Sequence, residues 1–196
     1  VRLSISAAAA CAAGAAHAAI PVEACNSDGF ESVVHAAPAV YEARAVWLDR
    51  RLLKWPGAAG GSAGYRLYHS PVASIKASAG GKVSGDAGFI PLAVFAGEVP
   101  GAAAARFKYV GAGPVLAVAR DDESKLAGLH TQQLVLVQEG PDGAVIAATR
   151  VQAAGALDDL YAAAGKAGGL GATPGKQRTT FKLWAPTAQR VSLCTY

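Results

Sequence analysis

Short runs in which apolar and polar residues alternate recur along the middle of the chain, and they predict β-strands. In one run Tyr65, Leu67 and His69 share a side, and in another Ala45 and Trp47 do. Runs of this length, bounded by Gly, Pro, Ser and Asp, are typical of strands. Seven are predicted, at residues 43–49, 65–70, 72–78, 89–95, 114–119, 132–139 and 144–151. This pattern favours a mainly β fold, an immunoglobulin-like antiparallel β-sandwich.

The sequence EGPDGA separates the last two of these strands. Its Pro141 and Gly143 have the conformations that a tight turn requires, so a hairpin is expected there. One or two short helices are expected as well. Asp121 or Asp122 can cap a helix through ESKLAGL.

A second helical stretch is expected at residues 155–165. Leu157, Leu160 and Tyr161 stand there at i, i+3 and i+4, and a glycine ends the run. The glycine-rich sequence KAGGLGATPGKQR follows, which predicts a domain boundary near 155–170. Beyond it come a strand, a proline turn and a second alternating strand. We interpret these as the first strands of a second β-sandwich.

Composition excludes several classes of protein. Hydrophobic residues make up 52% of the 196 residues and charged residues 16%, which is typical of a chain that forms a core. No unbroken run of about 20 apolar residues predicts a membrane span. The net charge is +4, and the basic residues are scattered. No nucleic-acid partner is therefore expected.

The alanine-rich start of the chain has the pattern of an export signal. Arg2 precedes a soft apolar run, and Ala16 and Ala18 place small residues where a signal peptidase cleaves. We expect residues 1–18 to be a signal peptide, residues 19–42 to be an irregular lead-in, and the protein to be periplasmic or extracellular. The same pattern also fits a helix that begins a cytosolic domain. A lipid anchor on Cys11 is a weaker alternative.

Two cysteines remain after such a cleavage, one near each end of the chain. In an oxidising compartment Cys25 and Cys194 are candidates for a disulfide. Two unpaired, buried thiols are an equally good interpretation. The chain has no CxxC motif, so neither a zinc ribbon nor a thioredoxin-type site is expected.

The motifs that usually indicate catalysis are weak in this chain. Residues 60–64 match G-x-S-x-G, but a loop precedes them and a strand follows, whereas a nucleophile elbow requires a strand and then a helix. GATPGK at 171–176 lacks the spacing of a phosphate loop. His35, His69 and His130 are isolated and interpreted as surface or turn residues. The chain therefore predicts no catalytic residue, metal or cofactor.

The acidic residues favour the same conclusion. Asp121, Asp122 and Glu123 are adjacent, as are Asp158 and Asp159. A glycosidase needs two carboxyl groups that face each other across a cleft, and adjacent residues on one segment do not provide that arrangement. Helix capping is the simpler interpretation.

The three tryptophans raise the possibility of carbohydrate binding, because sugar rings stack on exposed indoles. Trp47 and Trp184 lie in alternating strands, so both are expected in the core. Trp55 lies in LLKWPG at a predicted turn and is the candidate for an exposed glucan contact.

The last 18 residues, TTFKLWAPTAQRVSLCTY, resemble the opening of the isoamylase N-terminal module, a CBM48-like module. The matching residues are Phe181, Leu183, Trp184, Ala185, Pro186, Ala188, Val191 and Leu193. Upstream, ARAVWLDRRLLKWPG, YRLYHS and TRVQAAGALDDLYAAA resemble the β-sandwich that precedes this module in bacterial pullulanases. The three blocks occur in the expected order.

This resemblance implies a pullulanase N2-like β-sandwich at 43–154, a short helix and linker at 155–170, and the truncated start of a CBM48-like module at 171–196. It implies a non-catalytic accessory region of a secreted α-1,6-glucan debranching enzyme. The catalytic barrel of the same polypeptide would be its partner, with α-glucan as a second one. Two alternatives remain: a stand-alone glucan-binding module, and an envelope structural protein that shares the fold.

Overall fold

The computed structural model describes residues 4–5, 22–25, 42–59, 64–191 and 193–194. Its strands are β1 (Ser4–Ile5), β2 (Ala45–Trp47), β3 (Leu52–Lys54), β4 (Gly64–Ser70), β5 (Gly88–Val94), β6 (Val115–Val118), β7 (Gln133–Glu139), β8 (Val145–Gln152), β9 (Gly171–Pro174) and β10 (Thr179–Lys182). Its helices are α1 (Val22–Cys25), α2 (Gly101–Arg106), α3 (Leu126–Leu129) and α4 (Ala154–Leu160), with 3₁₀ turns at Arg120–Lys125 and Ala162–Lys166. The chain divides into two compact units, 34–162 and 1–33 with 163–196.

The central unit is built around one closed sheet of seven strands, and the prediction of a mainly β fold is confirmed. The strand order is β2-β3-β6-β5-β4-β7-β8. The pairs within this sheet are antiparallel except β2 with β8, which run parallel and bring Ala45 opposite Val151. The predicted hairpin between β7 and β8 is confirmed, and Gly143 has a φ of 76° in its turn.

The prediction of a strand at 72–78 is wrong. The seventh strand of the closed sheet is instead β3, which was not predicted. Only an isolated bridge, Lys76 to Ser84, forms in the described part of that region. The segment instead crosses the outer face of the sheet, where Ile75 and Ala77 pack on Val135 and Val137. Its alternation therefore reflects burial against a sheet rather than strand pairing. β3 is only three residues long and has too little alternation to be recognised.

This crossing segment explains why every residue of β7 is buried. Successive side chains of a strand point to opposite faces. Leu134 and Leu136 face the main core, together with Trp47, Leu67 and Leu116. Val135 and Val137 point the other way and lie beneath Ile75. Its four central residues, 134–137, are all apolar, as expected of a strand that is covered on both faces.

The helices differ from the predictions in two respects, a helix cap and an additional helix. The expected helix after Asp121 forms as the 3₁₀ turn and α3, but its N-cap is Ala119, without a side-chain cap, so the predicted aspartate cap is wrong. Asp122 Oδ1 instead accepts a hydrogen bond from Lys125 Nζ at 2.6 Å. The helix predicted at 155–165 is confirmed as α4 and the following 3₁₀ turn. The helix α2 was not predicted.

In the other unit, β10 pairs antiparallel with β9 and parallel with β1. The second strand predicted near the end of the chain is not formed by the described residues 183–191 and 193–194. The prediction that Trp184 is a core residue is also wrong, because its side chain is 41% exposed. Three short strands offer too little apolar surface to cover an indole.

The predicted export signal at 1–18 and the lead-in at 19–42 lie outside the described residues, apart from 4–5, 22–25 and 42. Cys11 and His35 are also outside them. Among the described residues, no helix is both long enough and apolar enough to cross a membrane.

Candidate functional site

Trp55, the predicted glucan contact, is a core residue. Its side chain is 1% exposed, and its ring centroid lies 6.3 Å from that of Tyr65 in an edge-on arrangement. The prediction that it is exposed is therefore wrong. The cause is β3, in which Leu53 points into the core. Trp55 is two residues further on and points the same way. Trp47 is fully buried, as predicted.

Three other aromatic side chains are exposed in the described part of the chain: Phe89, Tyr109 and Trp184. Tyr109 is 89% exposed and lies in a turn after α2, where its ring contacts Lys108, its neighbour in sequence. Phe89 is 45% exposed and lies within β5. At Phe89 the strand pairs with β4, opposite Tyr68, and its pairing with β6 begins further on, at Leu92.

Phe89 belongs to a group of four side chains that we call the Phe89 cluster: Arg66, Tyr68, Phe89 and Glu139. Tyr68 pairs with Phe89 across β4 and β5, and their ring centroids are 5.3 Å apart. The Arg66 Cζ atom lies 4.6 Å from the centroid of the Phe89 ring. This distance is within the range of a cation–π interaction.

The buried carboxylate of Glu139 binds two other members of the cluster. It ends β7, and its side chain is only 4% exposed, whereas that of Arg66 is 39% exposed. Its Oε2 accepts a hydrogen bond from Arg66 Nη1, and its Oε1 accepts one from Tyr68 Oη. Burial, together with the bond to Glu139, raises the pKa of Tyr68 above its ordinary value. The phenol therefore stays protonated at neutral pH and donates to the carboxylate.

The sequence analysis missed this cluster. Arg66 stands in one alternating run and Glu139 ends another, and the two are 73 positions apart. They meet because β4 pairs with β7 in a register that places Gly64 opposite Glu139. A glutamate at the end of an apolar strand was the available signal, since buried carboxylates need partners.

A second group of polar side chains lines a cleft where β7 begins and β8 ends. His130, Gln133, Arg150, Val151 and Ala153 help to line a cleft of about 210 Å³. His130 was predicted at the surface or in a turn, but it is 6% exposed, so the surface prediction is wrong. Its ring lies 5.2 Å from that of Trp47, and burial lowers its pKa to about 4.

The polar atoms of this cleft do not form a catalytic arrangement. Within the described residues, His130 Nε2 and Gln133 Nε2 are buried without a hydrogen-bond partner. The residues that line the cleft include no carboxylate that could orient the imidazole. We therefore regard His130 as part of the core. His69, by contrast, is half-buried and shares a 2.9 Å hydrogen bond with Gln132.

Asp158 and Asp159, which were interpreted as helix-capping residues, form ion pairs. Arg50 donates to Asp159 through Nε at 2.9 Å and Nη2 at 3.0 Å, and this contact lowers the pKa of the carboxyl group. Asp158 pairs with Arg106. Within the described ranges, no three His, Cys, Asp or Glu side chains converge on a metal site. Residues 60–63 of the G-x-S-x-G match lie outside them.

Cys25 and Cys194 come together in the smaller unit. Cys25 ends α1, and the Cα atoms of the two cysteines are 6.2 Å apart, with their sulfurs joined. The sequence separation is 169 residues. That the two cysteines form a disulfide in the purified protein stays a prediction, and reduction with dithiothreitol tests it. The motif residues Phe181, Leu183 and Pro186 lie in or just after β10, and the amide of Ala188 donates to Ala185 O in the turn at Pro186.

Comparison with known proteins gives two family matches. Residues 42–159 match the pullulanase N2 domain, and residues 169–196 match carbohydrate-binding module 48, the isoamylase N-terminal domain. A pullulanase of Klebsiella pneumoniae is 33% identical over 180 residues, which cover 90% of this chain and 16% of that protein. Pullulanase 1, chloroplastic, of Arabidopsis thaliana is 30% identical over 153 residues, 78% of this chain and 15% of that one.

Solved structures agree with these matches. The apo pullulanase of Klebsiella pneumoniae superposes with a TM-score of 0.64 at 33% identity, over 76% of this chain and 15% of that chain. The same enzyme complexed with maltotriose gives the same TM-score and identity over 76% and 14%. This chain thus spans about one-sixth of the length of these relatives. The chain belongs to the pullulanase N2 domain family, with the N-terminal region of pullulanases as its counterpart.

Proposed function

We propose that this chain acts as a non-catalytic, N-terminal accessory region of a pullulanase. A pullulanase hydrolyses the α-1,6-glucosidic branch linkages of pullulan, starch and glycogen. In this proposal the catalytic barrel belongs to the same polypeptide but lies outside the present sequence. The region would pack against that barrel and help to orient the substrate.

One observation carries the proposal: two pullulanase-type modules match in tandem, at 42–159 and 169–196. The alignment to a single, much longer pullulanase covers 90% of this chain. The carboxylates of the central unit support a non-catalytic role. Glu139 is buried against Arg66 and Tyr68, and Asp158 and Asp159 pair with arginines. These described carboxylates are committed to structural contacts rather than facing each other across a cleft.

The test of the non-catalytic role is an assay of the purified chain on pullulan. We expect no release of reducing sugar above a buffer blank, while an intact pullulanase from Klebsiella pneumoniae serves as the positive control. Release of maltotriose by the chain alone would refute the proposal. An antibody against residues 40–150 should detect, in the producing cells or medium, a polypeptide several times heavier than 19.7 kDa.

We also propose that the protein is exported, to the periplasm or the medium. The support is the pattern of residues 1–18, in which Arg2 precedes an alanine-rich run with Ala16 and Ala18. Sequencing of the mature N-terminus tests this: cleavage after Ala18 is expected. A protein that retains Val1 in the cytosolic fraction would contradict it.

A second candidate function is direct binding of α-glucan. Residues 169–196 match a carbohydrate-binding module, and a structural relative is described as complexed with maltotriose. Isothermal titration calorimetry of the chain with maltotriose tests this candidate. Saturable heat is expected, and its absence at millimolar sugar would eliminate glucan binding while leaving the accessory role intact.

A further inference from the structure

Two buried side chains line the cleft where β7 begins and β8 ends, and each has a polar atom without a hydrogen-bond partner. His130 and Gln133 are each 6% exposed, and the Nε2 atom of each lacks a partner among the described residues. Buried polar atoms of folded proteins are almost always hydrogen-bonded, to protein groups, ordered water or a ligand. Because both residues line the cleft of about 210 Å³, their orphaned atoms point to an occupant of that cleft.

The side-chain amides at the start of β7 use their oxygens within the fold. Gln133 Oε1 accepts a hydrogen bond from the backbone N–H of Ile75 at 3.0 Å, which fixes the orientation of the amide. The side with two N–H donors is then the one that has no partner. The neighbouring Gln132, which also lines the cleft, has its Oε1 at 2.9 Å from Nδ1 of His69. The cleft is therefore lined by groups that donate.

The charges around the cleft indicate the class of ligand. Among the described residues that line it, the titratable side chains are His130 and Arg150, and none is a carboxylate. Burial lowers the pKa of His130, so the imidazole is neutral at neutral pH. Arg150 already has a partner of its own, but an arginine has five N–H donors and keeps its positive charge. Donors beside a positive charge favour an anionic acceptor.

We propose that this cleft binds a carboxylate group, with the N–H groups of Gln133 and Arg150 as its donors. Sites for drug-sized ligands have volumes of about 300–1,000 Å³, so a cleft of about 210 Å³ suits a small group. Recognition of phosphate typically uses a cluster of arginines, and here one arginine stands beside neutral amides. The inference goes beyond the accessory role and does not depend on glucan binding.

Two sources share this chemistry. One is a free, small carboxylic acid. The other is an Asp or Glu side chain from another part of a longer polypeptide, since this chain spans 16% of the pullulanase that it matches. In both cases the carboxylate oxygens accept hydrogen bonds, and the orphaned donor of Gln133 gains its partner.

The experiment titrates the ¹³C,¹⁵N-labelled 196-residue chain with sodium acetate at neutral pH and constant ionic strength. The side-chain signals of Gln133 and His130 report on the cleft, and we expect both to shift with saturation. Acetamide has the same shape without the charge, and it should bind at least about tenfold more weakly. Equal binding of acetamide, tighter binding of inorganic phosphate, or no saturable change with acetate would each overturn the proposal.

Variants test the two donors separately. Gln133→Glu keeps an oxygen for the amide of Ile75 but replaces the donor by a second oxygen, so acetate binding should be lost. Arg150→Gln removes the charge and should weaken acetate at least about tenfold while leaving acetamide unchanged. The matched control is Gln152→Glu, the same chemical change at an exposed position of β8 that does not line the cleft, and it should bind acetate like the parent chain.

Thermal melts identify the variants that fold. Arg150 is exposed, so Arg150→Gln should fold even if Gln133→Glu does not, and unchanged acetate affinity in Arg150→Gln overturns the proposal. A glutamate blocked at its α-amino and α-carboxyl groups distinguishes the sources. Tighter binding than acetate supports a side chain of the polypeptide as the occupant, and weaker binding supports a free acid. The accessory role is judged separately by the pullulan assay, so either idea can fail without the other.

Discussion

Replacing Trp55 by alanine distinguishes a core tryptophan from a sugar-binding one. The side chain is 1% exposed and belongs to the main core cluster with Leu53, Tyr65 and Leu116. A buried tryptophan removes roughly 200 Å² from water, which corresponds to about 5 kcal/mol at about 25 cal/mol per Å². Measured truncations of buried aromatics cost about 3–5 kcal/mol, because part of the cavity relaxes.

This cost is large compared with the stability of a typical domain, about 5–15 kcal/mol. With an m-value of about 2 kcal/mol per molar urea, a loss of about 4 kcal/mol lowers the unfolding midpoint by about 2 M. Far-UV circular dichroism is the suitable probe, since the substitution itself changes tryptophan fluorescence. Trp55→Phe retains much of the apolar volume, so it should lose less than half as much and remain folded if Trp55→Ala does not.

The matched control is Val94→Ala, because Val94 is 59% exposed on a strand of the same sheet. Its free energy of unfolding should stay within about 0.5 kcal/mol of the parent value. If Trp55→Ala unfolded at the same urea concentration as this control, the indole could not be part of the core. The side chain would then be exposed in solution, and the original assignment of Trp55 as a glucan contact would regain its basis.

Three further predictions concern other parts of the chain. A glycine-to-alanine change usually stabilises a helix, but at Gly155 the new Cβ would lie 2.2 Å from Trp47 O. Gly155→Ala should therefore lower the free energy of unfolding by about 1–3 kcal/mol in a urea melt. Gly128→Ala is the matched control, since nothing lies near its added Cβ. For His130 the folded-state pKa of about 4 lies below the ordinary 6.5, so the unfolded chain binds more protons between these values. The free energy of unfolding should be at its full value above pH 6.5 and should fall by roughly 2 kcal/mol by pH 5. His130→Leu should remove this pH dependence, and an unchanged pH dependence in the variant would contradict the assignment. A disulfide between Cys25 and Cys194 closes a loop of 169 residues, which stabilises the fold by about 4–5 kcal/mol. Dithiothreitol should therefore lower the melting temperature of the smaller unit. Alkylation of both thiols before reduction would refute the pairing.

Most strands of the central unit could be predicted from the sequence, but which strands pair with each other could not. β4, β5 and β7 were predicted as short runs rich in apolar residues and bounded by turn residues. The strand predicted at 72–78 shows the limit of the pattern. Ile75 and Ala77 alternate because they cover Val135 and Val137 from outside the sheet. Burial on one side produces the same alternation whether or not the backbone pairs with a neighbour.

The candidate site could not have been predicted for a related reason. Arg66 and Glu139 meet through the pairing of β4 with β7, which joins residues 73 positions apart. Hydrophobic periodicity is a local property and carries no information on such pairings. The resemblance to pullulanases was more informative, since it depends on ordered motifs over most of the chain, and the family matches at 42–159 and 169–196 support it.

Two different strand pairings account for the buried tryptophan and the exposed phenylalanine. β3 pairs with β6, which directs Leu53 and then Trp55 inward. β5 pairs with β4, which places Phe89 beside Tyr68 and under Arg66 on the outer face. The two side chains should therefore contribute unequally to stability. Trp55→Ala should lower the urea midpoint by about 2 M, whereas Phe89→Ala should lower it by less than half as much, because the Phe89 side chain is already 45% exposed. Equal midpoints for the two variants would show that the outer face contributes as much as the core, against the pairing described here.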